Sequence, residues 1–154
     1  MTRLSSMLAI SLAVLTLPST TVAQELPLQY AVKFVCGKRA PSRGFAAGVY
    51  FTTVNVHNPG REAALVLKKF AIALPNQKAG PVTKLFEGKL GPDEAFGVEC
   101  GEIMERTRSS GFVEGFMVIE SKVELDVVGV YTTAGATGQI QTMELERVPV
   151  RRSQ

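Results

Sequence analysis

The 154-residue chain has no tryptophan, one histidine and two cysteines, and each shortage removes a class of chemistry. One histidine and two cysteines cannot make the usual set of three or four zinc ligands, so no metal is assigned. A nucleophilic triad would have to use His57 as its base. Ser42, Ser109, Ser110 and Ser121 are nucleophiles by type only, because none sits in the Gly-x-Ser-x-Gly elbow that exposes a serine. Gly111-Phe112-Val113-Glu114-Gly115 and Gly135-Ala136-Thr137-Gly138 lack the Lys-Ser or Lys-Thr ending and the following helix of a phosphate loop, so no cofactor is assigned. Charge of one sign is also scarce. Lys and Arg total 17 against 14 Asp and Glu, and the net +3 is spread along the chain. Basic residues are not clustered among aromatics, so nucleic acid is not an expected partner.

A long apolar run occurs once, at the start. Arg3 precedes an apolar stretch over residues 7–17, Pro18 breaks it, and Thr21-Val22-Ala23 offers a small-x-small cleavage site. This predicts a secretory signal peptide over residues 1–23. The run falls short of the ~20 residues that span a bilayer, and nothing after it is apolar enough to do so. No cysteine follows the cleavage site, so a lipoprotein anchor is not expected. Residues 24–150 are long enough for one domain with a core of its own, and residues 151–154 read as a solvated basic tail. The expected location is secreted or periplasmic. In that setting Cys36 and Cys100 are read as one disulfide, with two free thiols as the alternative. Closing a loop of about 64 residues stabilises a fold by about 4 kcal/mol in the chain-entropy account.

Glycine and proline punctuate the rest of the chain at short intervals, and β-branched and aromatic residues fill the gaps. That pattern predicts about seven or eight strands. Leu28, Tyr30, Val32, Phe34 and Cys36 alternate onto one face of a strand over residues 28–36. Further strands are expected over 49–57, 63–74, 82–90, 95–100, 112–121, 125–133 and 140–148. His57-Asn58-Pro59-Gly60 turns the second into the third as a hairpin. The near-continuous apolarity of 112–121 and 125–133 predicts central strands buried on both faces, joined tightly by Lys122-Val123-Glu124. Residues 140–148 should expose one charged face. Residues 101–108 suit a short helix. The class is therefore all-β: an antiparallel two-sheet β-sandwich, immunoglobulin-like in the broad sense, with one short helix.

The cysteine spacing invites comparison with antibody domains. Those need a core tryptophan and a tyrosine two residues before the second cysteine, where this chain has Val98. A better resemblance rests on Phe51-Thr52-Thr53-Val54-Asn55-Val56-His57-Asn58-Pro59, Gly115-Phe116-Met117-Val118-Ile119-Glu120-Ser121, Leu125-Asp126-Val127-Val128-Gly129-Val130-Tyr131 and the Gly91-Pro92-Asp93 corner. Together these resemble a family of small, uncharacterised exported bacterial proteins across most of residues 24–154. The resemblance implies a β-sandwich, and it carries no catalytic residue and no known activity. A fainter similarity, in strand order alone, is to the β-sandwich transducers of microbial sensory rhodopsins. Those act in the cytosol, against the predicted leader.

Alternation puts Thr53, Asn55 and His57 on one face as a polar trio at a sheet rim beside the turn residue Asn58, so Asn55, His57 and Asn58 are the candidate binding residues. Such a group could bind a small polar ligand. The plainer reading is that Asn58 starts the turn while the others satisfy nearby backbone. Glu114, Glu120 and Asp126 interrupt apolar strands. They are either an acid–base pair for a hydrolase or residues at strand ends and outward faces.

These features predict a non-catalytic binding or protein-interaction module, whose partner is a protein or a small polar ligand. Its contact surface would be a strand edge or the loops over 38–48 and 75–81. The alternatives are a structural or assembly subunit joining copies through strand edges and, further off, a carboxylate-dependent hydrolase. The sequence sets no oligomeric state.

Overall fold

The computed structural model of the protein describes residues 27–41, 46–135 and 139–152. The predicted signal peptide, residues 42–45 of the first long connection and residues 153–154 of the tail lie outside these.

The described elements are β1 (Leu28–Arg39), β2 (Gly48–His57), β3 (Ala64–Ala73), β4 (Ala79–Val82), β5 (Phe86–Leu90), β6 (Ala95–Glu99), α1 (Cys100–Thr107), β7 (Phe112–Ser121), β8 (Asp126–Ala134), β9 (Ile140–Arg147) and β10 (Arg151–Arg152). Every strand pairing is antiparallel. The connected sheet runs β4-β3-β7-β1-β2-β8-β9, with β5 on β3, β6 on β2 and β10 on β1. It does not close on itself, so the protein is mainly antiparallel β with an open sheet and one short helix.

Apolar alternation sets the register. Tyr30, Val32, Phe34 and Cys36 of β1 are buried, and β1 pairs along β7 from Leu28 opposite Ser121 to Gly37 opposite Phe112. A one-residue slip would turn this whole row to solvent, at ~1.5–3 kcal/mol for each large side chain exposed. β1 then meets β2 over three pairs only, Gly37–Tyr50, Lys38–Val49 and Arg39–Gly48. Gly37 has φ +98, and a Cβ there would lie 1.7 Å from the Gly111 carbonyl oxygen, so only glycine fits this corner. Val66 and Phe70 of β3, Met117 and Ile119 of β7, Val54 and Val56 of β2, Val98 of β6, Val127 of β8 and Ile103 of α1 join the β1 row in one core cluster. The Phe34 and Phe70 rings meet edge to face at 5.8 Å.

Cys36 and Cys100 form a disulfide with a Cα–Cα distance of 5.4 Å. It ties β1 to the first residue of α1. Buried Thr52 lies beside it. Its hydroxyl donates to the Val35 carbonyl at 3.0 Å and accepts the Val35 N–H at 2.9 Å, and its own N–H donates to Cys100 Sγ at 3.1 Å. The helix ends at Arg108, which takes the left-handed conformation at φ 52 and donates its N–H to the Glu105 carbonyl.

The expected strands over 28–36, 49–57, 63–74, 95–100, 112–121, 125–133 and 140–148, and the helix over 101–108, all appear within a few residues of the predicted bounds. Five expectations need correction. β2 and β3 do not form a hairpin, because β1, β6 and β8 take the pairings of β2 and β4, β5 and β7 take those of β3. The expected strand over 82–90 is divided into β4 and β5 where Thr83 bonds the Phe70 backbone through its N–H and hydroxyl. β7 and β8 are central but one-faced: Phe116 is 44% exposed, and the outer face of β7 carries Glu114 and Glu120, paired with Lys33 and Lys69 of the neighbouring strands. Of the eight residues of β9, those with a described side chain are exposed on both faces, because the core does not reach that far. Arg151 and Arg152 pair with Gln29 and Leu28 as β10, although their side chains stay exposed.

Candidate functional site

The polar group predicted at the rim divides. Asn58 turns inward and is fully buried. Its Nδ2 donates to the carbonyls of Glu62 at 2.7 Å and Gly91 at 3.0 Å, and its Oδ1 accepts the Gly60 N–H at 3.0 Å. Its backbone also exchanges hydrogen bonds with Glu94 and Asp93. With both ends of the amide occupied, Asn58 pins two loops together.

Asn55 and His57 stay on the outer face of β2. Asn55 is exposed opposite Gly97 on β6 and Val128 on β8. His57 stands opposite Asp126, and its Nδ1 lies 3.2 Å from Asp126 Oδ2. The other oxygen of Asp126 accepts from Arg147 of β9 at 3.3 Å. This row of His57, Asp126 and Arg147 across three strands was not legible from local pattern. No hydroxyl or thiol among the described residues hydrogen-bonds the imidazole, so the row is a charged corner without an adjacent nucleophile. Asp126 and Arg147 also line an open cleft of about 380 Å³ with Tyr30, Leu125 and Val148. The Tyr30 hydroxyl is occupied there by the Leu125 N–H at 2.7 Å. Asn55, His57 and Glu114 do not line it.

The two other carboxylates that interrupt the apolar strands, Glu114 and Glu120, have cationic partners. Glu114 meets Lys33 at 2.6 Å and Glu120 meets Lys69 at 2.9 Å, both on the outer face of β1, β7 and β3. No group of three or more His, Cys, Asp or Glu among the described residues could hold a metal ion. No described helix is long and apolar enough to cross a membrane.

Two features escaped the sequence reading. The first is Lys68, on the core side of β3 and only 7% exposed. Its Nζ lies 4.0 Å from the Phe96 ring centre and 5.0 Å from that of Phe86. Burial pushes its ammonium pKa down, Glu102 opposes that shift, and Arg106 adds to it. The second is the β9 edge. Ile140, Met143 and Leu145 are 72%, 67% and 66% exposed. Leu145 lies opposite Val130 and Met143 opposite Thr132, and Thr132 in turn faces Phe51, itself 49% exposed. An apolar outer band therefore runs from β2 across β8 to β9, which ends the sheet among the described residues, with the charged corner at one end. On the opposite face of β9 stand Glu144 and Glu146, both exposed. Tyr131 donates to Glu146 at 2.7 Å, and Gly129 leaves its ring the space, since a Cβ there would lie 2.7 Å from the Tyr131 hydroxyl. Burial pushes the Tyr131 pKa up, and Glu146 and Glu144 add to the shift.

The other end of the sheet is protected. β4 has four residues, includes Pro81, and its register shifts against β3. β9 has eight residues with neither proline nor lysine among them. Short strands, prolines, lysines and irregular pairing are the usual guards of an open edge. β9 lacks the first three; its register against β8 shifts once, between Thr133 and Ala134, and its charged residues are Glu144, Glu146 and Arg147. The 75–81 loop includes the start of β4, with Asn76 and Gln77 both at φ 60.

No family model matches the chain, and no curated protein matches it. Among solved structures it is similar to the crystal structure of Thermotoga maritima 1070, with a TM-score of 0.53 and 13% identity, covering 81% of this chain and 94% of that one. At that identity the likeness is one of fold alone.

Proposed function

We propose that the protein is an exported, non-catalytic binding module that receives an extended segment of a partner protein on the β9 edge. The observation that carries this reading is the exposure of β9: an eight-residue strand ends the sheet with its apolar face continuous with Phe51. An extended segment added there would gain main-chain hydrogen bonds from the edge and side-chain contacts from both faces.

Three further observations favour it. The disulfide suits an oxidising compartment, in keeping with the predicted leader. Glu114, Glu120 and Asp126 are each paired with a cation or with His57, which leaves them poorly placed as a free acid and base. The resemblance to small exported bacterial β-sandwich proteins supports export and a sandwich, and carries no activity of its own. We read the open sheet as two packed layers, β3-β7-β1 against β6-β2-β8-β9. The β1–β2 pairing narrows to three residue pairs, while the core faces of both groups share one cluster.

The test is site-specific photo-crosslinking in the native compartment, with the reactive group at Met143 on β9 and, as a control, at Lys89 on β5. Adducts to another protein from position 143 alone are expected. Equal labelling from both positions would contradict the reading. Adducts solely between copies of this chain would favour an assembly subunit instead.

A further inference from the structure

Resting on the binding-module reading, we infer that β9 selects a partner strand with basic side chains on one face and apolar side chains on the other, and rejects a second copy of this chain. The strand offers two chemically distinct faces. Met143 and Leu145 point outward, and Glu144 and Glu146 point to the core side, where no layer of the described residues covers them. A strand added at the edge places its side chains directly opposite these, at about 4.5–5.5 Å between Cβ atoms. Lysine or arginine opposite Glu144 and Glu146 forms ion pairs, and β-branched residues opposite Met143 and Leu145 extend the apolar band. Arg147 is already held by Asp126 at 3.3 Å, so it does not reverse the sign of the edge.

The same carboxylates oppose self-pairing. A two-fold antiparallel pairing of β9 with its copy sets Glu144 against Glu144 when centred on Glu144. Centred on Leu145, it sets Glu144 against Glu146. Centred on Met143, it leaves the two Glu144 side chains as diagonal neighbours. Like charges opposite one another destabilise a strand pair, so the edge discriminates by repulsion as well as by attraction.

The test uses labelled, end-capped nine-residue peptides titrated against the full disulfide-bonded chain by fluorescence anisotropy. One alternates Lys with Val, one alternates Glu with Val, and a third has the composition of the first with the alternation scrambled. We expect the Lys/Val peptide to bind roughly tenfold more tightly than the other two. We also expect the exposed double variant Glu144→Lys/Glu146→Lys to reverse the preference between the two alternating peptides. Equal binding of both alternating peptides, lost in a Glu144→Pro variant, would overturn the charge selection and leave β9 as a docking edge. No binding by any peptide, with the chain monomeric in sedimentation, would overturn the inference. A concentration-dependent dimer abolished by Glu144→Pro would overturn both it and the binding-module reading.

Discussion

The Tyr131 hydroxyl donates to Glu146 at 2.7 Å and so ties β8 to the edge strand β9. It holds one of the two uncovered carboxylates in place, and it does so only while the phenol is neutral. Its pKa is raised by burial first, then by its hydrogen bond to Glu146 and the charges of Glu146 and Glu144. A tyrosine whose pKa rises on folding contributes stability that is fully present below its unfolded value and is lost as pH rises through the folded one. Tyr131→Phe should therefore cost about 1 kcal/mol at neutral pH, with the difference from the native chain shrinking above about pH 10. Urea unfolding of both proteins across that range checks it. Parallel pH curves would contradict it.

Lys68 titrates in the opposite sense. Burial lowers its pKa, so between the folded value and the ordinary 10.5 the unfolded chain binds more protons and stability rises with pH. The Phe96 and Phe86 ring faces offset part of the cost of burying the charge. Lys68→Met keeps the buried stem and removes the charge. It should stabilise the protein by about 1 kcal/mol at pH 7, a gain that fades on alkaline titration. A variant less stable than the native chain at pH 7 would show that the ring contacts outweigh desolvation.

The disulfide closes a 64-residue separation between β1 and α1. Cys36→Ala/Cys100→Ala should lose about 4 kcal/mol in chemical unfolding, chiefly by freeing the unfolded chain. It also takes away the acceptor of the Thr52 N–H. A loss under about 1 kcal/mol would mean that the unfolded chain remains ordered without the bridge.

Asn58 is buried with both its donor and acceptor ends occupied. Asn58→Ala should cost about 2–3 kcal/mol, because the amide leaves unpaired backbone groups behind. Asn58→Asp should cost more, since a carboxylate cannot donate to the Glu62 and Gly91 carbonyls. Thermal melts of the two variants check the order. A neutral effect of Asn58→Ala would contradict the pin.

Strands were legible where alternation is strong. Tyr30, Val32, Phe34 and Cys36 announce β1 because a period of two can bury them together on one face. Partners were not legible. His57 and Asp126 lie 69 positions apart, and nothing local says that β2 pairs with β8. β9 was misread for a related reason. Met143 and Leu145 alternate with Glu144 as a half-buried strand would, but burial depends on whether another layer lies opposite, and among the described residues none does. Lys68 was passed over because it interrupts the apolar row of Val66 and Phe70, and only the positions of Phe86 and Phe96 explain how a lysine fits there.

Residue-resolved amide hydrogen exchange of β9, with and without the Lys/Val peptide, tests the docking edge most directly. Amides of β9 that point away from β8 should exchange fast in the free protein and slow markedly on addition of the peptide, while β4 and β5 stay unchanged. Exchange in β9 that the peptide leaves untouched, or slowing centred on β4 instead, would contradict the account.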